Sequence, residues 1–270
     1  MTNKTIGILG SNGFIGNILK KYYPGAKGYD IKGPCDPLEE VLAQDIIFIS
    51  FLHPDNMIDD VMPYARKAPA GRIFIIKSTF IPGSTDLLQE LFSQHKFIYN
   101  PEFLTEATAW EDFTKPQFQI LGVPYQSLDL IHEIFSLLPE APIKRVISPL
   151  DAEILKHSFN SFFALKVTWF NQLYDACQTL HGDYETVREI MVSHPWIGDS
   201  HSHIFHKGYR GYGGKCLAKD PKAFAQSCPF PLITQIEKYN ERLLIQQTNK
   251  SSNPSLFDLP QDDTLDAKKA

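Results

Sequence analysis

The stretch from Ile6 to Tyr23 constrains the fold more than any other. A short apolar run, Ile6 to Leu9, ends in Gly10-Ser-Asn-Gly13-Phe-Ile-Gly16, and helical spacing of apolar residues follows from Phe14 to Tyr23. An apolar run of that length bounded by glycine reads as a strand, so the unit is strand, tight turn, helix. The pattern then recurs. Strands are expected at Lys27–Ile31, Asp45–Phe51, Arg72–Ile76, Lys96–Tyr99 and Phe118–Gly122, with helices at Pro37–Ala43, Asn56–Ala68 and Ser84–Gln94. Strands alternating with helices place the chain in the α/β class, with a parallel sheet and right-handed crossovers of Rossmann type.

The pattern changes near Pro142. Ser148 is a good N-cap and Pro149 a good first helical residue. Apolar and aromatic residues then recur at helical spacing to about Leu180, with no internal Gly or Pro, and Gly182 closes the run. Shorter helices are expected at Tyr184–Val192, Pro221–Gln226 and Leu232–Gln246. The expected organisation is a sheet domain over 1–145, an all-α central domain over 146–248, and a disordered polar tail over 249–270. A length of 270 residues suits two cores.

A net charge of −5 argues against nucleic acid or an anionic membrane as partner, since both select a basic face. The four cysteines, Cys35, Cys177, Cys216 and Cys228, lack paired metal-type spacing and suggest reduced thiols. No leader pattern opens the chain, and its longest apolar run, Ile46 to Leu52, is too short to cross a bilayer. A soluble cytoplasmic protein is the expectation.

Glycines between a first strand and first helix let the backbone approach a pyrophosphate, which the helix N-terminus attracts. Asp30 ends the second strand about twenty residues on, where an acid accepts from an adenosine ribose and repels a 2′-phosphate. The expectation is an NAD site on Gly10, Asn12, Gly13, Phe14, Ile15 and Asp30. The turn carries one residue more than strict G-x-G-x-x-G spacing.

Gly211-Tyr-Gly-Gly-Lys-Cys216-Leu-Ala-Lys219-Asp220-Pro221 puts a cysteine on a glycine-rich turn before a helix. With Asp220 as cap, the helix start and the flanking Lys215 and Lys219 should favour the thiolate, the nucleophilic form. The alternative, a buried structural cysteine, suits Cys35, Cys177 and Cys228 better. Lys156 and Asn160 stand four apart and share a helix face, a pairing that a solvent-reaching lysine would also explain. Glu102 and the Lys77-Ser-Thr79 segment follow strands, at the sheet edge where ligands of such folds bind.

Together these segments resemble the UDP-glucose/GDP-mannose dehydrogenase family. The matching stretches are STFIPGST (Ser78 to Thr85), NPEFLTEATAWEDF (Asn100 to Phe113), AEILKHSFNSFFALKVTWFNQL (Ala152 to Leu173), GYGGKCLAKDPKAF (Gly211 to Phe224) and EKYNERL (Glu237 to Leu243). The resemblance implies a four-electron oxidation of a sugar primary alcohol to a carboxylate with two NAD consumed. It assigns Cys216 the attack on an aldehyde, giving a thiohemiacetal and then a thioester. Lys156 and Asn160 would stabilise the oxyanions, Asp220 and Glu102 would handle water activation and proton transfer, and Thr79, Glu106 and Lys219 would border the cofactor. A homodimer through the central helices is also implied.

The chain departs from that pattern in several places. Full-length members continue past the position of residue 246 into a domain that closes over the nucleotide, where this sequence has a polar tail. His194-Pro-Trp196-Ile-Gly198 stands where the family has Asp-Pro-Arg-Ile-Gly. His201, His203 and His206, near His194, lack a fixed ligand frame, so no metal is expected. Two alternatives stay open: a two-electron β-hydroxyacid-type dehydrogenase, which also has a Lys-x-x-x-Asn pair, and a non-catalytic NAD-binding protein.

Overall fold

In the computed structural model, which describes residues 4–51, 57–206, 208–214 and 216–250, the glycine turn joins β1 (Ile6–Leu9) to α1 (Phe14–Tyr22). β2 (Lys27–Tyr29), α2 (Leu38–Leu42), β3 (Ile46–Ile49), α3 (Met57–Lys67), β4 (Ile73–Ile76), α4 (Ser84–Leu91) and β5 (Lys96–Tyr99) follow. Then come α5 (Ala109–Thr114), β6 (Phe118–Gly122), a 3-10 turn (Tyr125–Leu130), α6 (Ile131–Leu137) and β7 (Ile143–Ile147). The rest is α7 (Pro149–Leu180), α8 (Tyr184–Ser193), a hairpin of β8 (Phe205–His206) and β9 (Tyr209–Arg210), α9 (Asp220–Ser227) and α10 (Pro231–Lys250). The expected tail beyond residue 250 lies outside the described residues.

Seven strands form one sheet in the order β2-β1-β3-β4-β5-β6-β7. Every residue of β3 and β4 is buried, because helices cover both faces, and such strands read as unbroken Ile and Phe runs. Side chains alternate between two cores. Leu9, Ile47, Ile49, Phe74, Ile76 and Phe97 meet Val61 and Ala65 of α3 and Leu88 of α4 on one face. Ile8, Ile46, Phe48, Ile73, Ile75 and Ile98 meet Ile18 and Leu19 of α1 on the other.

One pairing departs from the parallel expectation: β5 and β6 run antiparallel. The segment between them stays at the carboxyl edge of β5 with only the six-residue α5, so β6 enters the sheet from that edge. β7, which pairs parallel with β6, is a strand the sequence did not announce. Its Ile-Lys-Arg-Val-Ile has no buried position, as suits an edge strand blunted by charge.

The chain divides into two compact units, residues 1–162 with 215–230 and residues 163–214 with 231–270. Compactness thus groups 215–230 with the sheet, whereas the sequence boundary near 145 assigns that stretch to the helices. In the second unit Phe170, Cys177, Tyr184 and Ile204 form the core. Asp183 caps α8 by accepting from the Glu185 and Thr186 amides. Asn240 of α10 exchanges two hydrogen bonds with the Tyr212 backbone at 2.8 and 2.9 Å. Among the described residues no helix is long and apolar enough to cross a membrane.

Candidate active site

The chain leaves β1, forms β2 on one side and returns to β3 on the other. The crevice at such a switch point, outside the carboxyl ends of the strands, is where open α/β sheets take ligands. The Gly10–Gly16 turn sits there. Gly10 has φ +82°, and a side chain on Gly16 would place its Cβ 2.1 Å from the Gly10 carbonyl oxygen. Only glycine lets α1 begin so close to the turn. Gly13 occupies the cap position of α1 without a side-chain bond, so first-turn amides face outward uncapped.

Asp30 works first on the protein itself. Its carboxylate accepts from the Asn12 amide at 2.9 Å and the Lys32 amide at 3.0 Å. The extra residue of the turn has a role too. The Asn12 side chain donates to the Lys32 carbonyl at 2.6 Å and accepts from Lys20 Nζ at 2.9 Å. Phe14 is exposed at the start of α1, and Ile15 packs partly against the core on the α1 face.

A second group of side chains assembles where β4 and β5 end. Thr79 follows β4, Glu102 follows β5, Lys156 and Asn160 lie on α7, and Asp220 opens α9. Lys156 Nζ donates to the Glu102 carbonyl oxygen at 2.6 Å and to its Oε1 at 3.1 Å. Asn160 Nδ2 and Thr79 Oγ1 both donate to Asp220 Oδ2. Lys219 Nζ lies 3.3 Å from Asp220 Oδ1. Lys156, Asn160, Thr79 and Asp220 are buried. The exposed Cys216 feels the charges of Asp220, Lys156, Glu102 and Lys219. Glu106 is exposed in the turn before α5.

Two expectations about this stretch are corrected. Asp220 is the first helical residue, and Lys219 holds the cap position without a side-chain bond, because the amides of Lys219 and Asp220 already turn back onto the Cys216 carbonyl. The Asp220 carboxylate is thereby freed to meet Thr79 and Asn160. The resting thiol is not held ionised either. Surrounding protein and then Asp220 push the Cys216 thiol up, against the opposing pull of Lys156, while Glu102 adds to the rise and Lys219 weakly offsets it. Lys215 lies outside the described residues.

Three further buried polar groups lie beside this cluster: Lys77, in the segment already noted after β4, and Glu153 and His157, which the sequence reading gave no role. Lys77 Nζ donates to Asn100 Oδ1, and Asn100 Nδ2 donates on to the Ile120 carbonyl; burial pushes the Lys77 amine down to about 8. Glu153 accepts from Gly83 N, Thr85 N and Thr85 Oγ1 at the start of α4. His157 sits one residue beyond Lys156. For Glu153 and His157 a charged or polar residue within an apolar helical stretch is the available signal, and it does not distinguish them from surface positions.

In the second unit the four histidines from His194 to His206 are spread. His201 stacks on Phe163 at 4.4 Å, His203 lies 3.5 Å from Asp199, His194 abuts Trp196, and His206 belongs to β8. Among the described residues no group of three or more His, Cys, Asp or Glu is placed to hold a metal ion.

Sheet order, glycine turn and helical continuation define a Rossmann-type fold followed by a helical region. A UDP-glucose dehydrogenase from Pyrobaculum islandicum superimposes with a TM-score of 0.74 at 23% identity, covering 92% of this chain and 71% of that one. Residues 150–242 match the model of the UDP-glucose/GDP-mannose dehydrogenase family, central domain. It is 31% identical over 171 residues to the UDP-glucose 6-dehydrogenase of Rickettsia felis, covering 61% of this chain and 37% of the relative. With that of Bacillus subtilis the identity is 27% over 241 residues, covering 80% and 53%. The chain thus spans between about a third and a half of the length of these relatives.

Proposed function

We propose that the protein oxidises the primary alcohol of a sugar, of nucleotide-sugar type, to a carboxylate with NAD as oxidant. One observation carries this: the Cys216 thiol shares its electrostatic surroundings with Asp220, Lys156, Glu102 and Lys219, at the strand ends next to a glycine turn suited to a dinucleotide. The turn fits the cofactor, since α1 starts without a side-chain cap and Gly16 lets the turn pack directly against that start. Asp30 uses one lone pair on each oxygen for backbone amides and keeps others for ribose hydroxyls. Gly10, Asn12, Gly13, Phe14 and Ile15 would line that turn, with Thr79, Glu106 and Lys219 bordering the cofactor.

NAD, when bound, supplies the hydride acceptor. The chain's own groups do the rest. Cys216 Sγ, its proton first lost to solvent, bonds to the carbonyl carbon of the aldehyde, and Asp220 serves the later proton transfers. Lys156 Nζ and Asn160 Nδ2 turn from their resting partners to the oxygen that gains charge, as preorganised donors. Glu102, already joined to Lys156, passes protons and orients the water that releases the acid. Two NADH per sugar are expected when UDP-, GDP- and dTDP-sugars are compared by absorbance at fixed substrate. One NADH per sugar would replace this proposal with a two-electron dehydrogenase.

The proposal includes a homodimer through the central helices. The second unit leaves Trp169, Leu180, Ile190 and Trp196 exposed, the last at 90%, and large exposed apolar residues mark protein-binding surfaces. Sedimentation at micromolar concentration should give twice the chain mass, and Trp169→Glu should give the monomer. A wild-type monomer would remove this part of the proposal.

A further inference from the structure

His157 is 1% exposed, with each ring nitrogen facing a main-chain carbonyl oxygen. Nε2 lies 2.8 Å from the Phe80 oxygen and Nδ1 lies 3.1 Å from the Asp220 oxygen. The ring stacks on Phe224 of α9 at 5.5 Å. A neutral imidazole carries one N–H and can serve only one of two acceptors; the imidazolium serves both. The two carbonyls belong to the segments that present Thr79 and Asp220. The Asp220 amide in turn donates to the Cys216 carbonyl, so movement of that residue reaches the thiol's turn.

We propose that His157 is a pH-sensitive positioning residue, whose charged ring clasps the Phe80 and Asp220 carbonyls together and whose neutral ring holds only Phe80. The shorter contact keeps the proton on Nε2, and the Nδ1 lone pair then opposes the Asp220 oxygen. Acidification adds the second donor, closes the clasp and sets a positive charge beside Asp220.

The charged neighbours bear on where this happens. Burial pulls the ring below its ordinary range most strongly; the Phe80 carbonyl, Asp220 and its carbonyl pull it up, and Lys219 pulls it down. Glu153 and Lys156 are the charged residues beside it on α7. The Tyr99 phenol of β5 is pushed well above its usual range by burial and stays neutral. Because the folded ring binds its proton less readily than the unfolded one, stability is lost as pH falls from the ordinary imidazole range to the ring's midpoint. The clasp therefore closes on the acid side of neutrality, at a modest cost in stability.

As regulation of the thiol, this rests on the proposed dehydrogenase site, but its test does not require turnover. Long-range nitrogen–proton NMR of the full chain between pH 8 and 5, with His157→Gln used for assignment, reads the ring directly. The expected result is an Nε2–H tautomer at pH 8 that becomes the imidazolium with a midpoint below the ordinary imidazole range. An Nδ1–H tautomer, or a midpoint within that ordinary range, overturns the proposal.

Alkylation of Cys216, followed by peptide mass, reads the consequence. Gln places an amide near Nε2 and so imitates the neutral ring, with the Phe80 bond alone. Below the ring's midpoint the wild type should react about two- to tenfold faster than His157→Gln, as one hydrogen bond and one nearby charge would produce; above it the two should coincide. Parallel profiles throughout overturn the proposal. Should His157→Gln fail to fold, His157→Asn, which keeps the Asp220 bond, takes its place, and its rate should then lack the wild type's inflection. Absence of dehydrogenase activity would remove the proposed function while leaving both readouts intact.

Discussion

Cys216→Ala is expected to lower NADH formation from the best nucleotide sugar by at least about 10⁴-fold, the loss seen when a covalent nucleophile is removed. The side chain is exposed, so stability should stay within about 0.5 kcal/mol of wild type. A melting curve measured beside the assay separates the two effects. Cys216→Ser should leave the first oxidation faster than the second, because a hydroxyl attacks the aldehyde poorly, and aldehyde should accumulate in a trapping assay. Full turnover by either variant would leave Cys216 without a covalent role.

The pH dependence follows from the environment of the thiol. Its surroundings push it above the ordinary thiol range, so the thiolate is a minor species at neutrality. The thiolate is the nucleophile. Turnover limited by thiol attack should therefore climb by about tenfold per pH unit on the alkaline side of neutrality and level only above the usual thiol range. Alkylation by iodoacetamide should follow the same curve. A rate already level at pH 6 would mean that the thiol is ionised in the working enzyme by a group that approaches only with substrate.

That correction shows what a sequence conveys and what it conceals. Counting along the chain finds the lysines beside Cys216 and predicts an ionised thiol. Folding turns Asp220 back beside Cys216 as a charge rather than a helix cap and adds Glu102 from a distant segment, and counting along the chain reports neither effect. The strands were legible for the opposite reason. β3 and β4 are buried on both faces, so each appears as an uninterrupted apolar run in one place. β7 was not legible, because an edge strand with Lys144 and Arg145 has neither an apolar run nor a clean alternation. The antiparallel entry of β6 was equally hidden, since the direction of a strand is set by where its connection ends and leaves no mark on composition. Lys156 and Asn160 were visible as an i, i+4 pair. Their resting partners, Glu102 and Asp220, could be known only once α7 was laid across the ends of β4 and β5.

Glu153→Ala should produce the largest loss of stability, about 3–5 kcal/mol by denaturant unfolding, as expected when several inward-facing donors lose their acceptor. Glu153 has no exposed surface. Its two oxygens take the Gly83 amide at 2.6 Å, the Thr85 amide at 2.9 Å and the Thr85 hydroxyl at 2.6 Å. These amides begin α4, so the side chain of α7 caps the helix that follows the Thr79 segment. Alanine would strand two buried donors of Thr85 and the part-buried Gly83 amide. Glu153→Gln keeps one acceptor but turns an NH2 toward the other donors, and should recover at most half of the loss. Burial raises the Glu153 acid from its ordinary 4.5 to about 7, while the three donors hold it down. The folded state thus binds this proton more readily than the unfolded chain. Its contribution to stability is complete below about pH 4.5 and is lost as pH rises through 7, on the order of 3 kcal/mol from this group. Unfolding measured from pH 5 to 8 should show the wild type losing part of its lead over Glu153→Gln. A lead that stays constant across that range would mean that the carboxylate is ionised throughout, with its three donors outweighing burial.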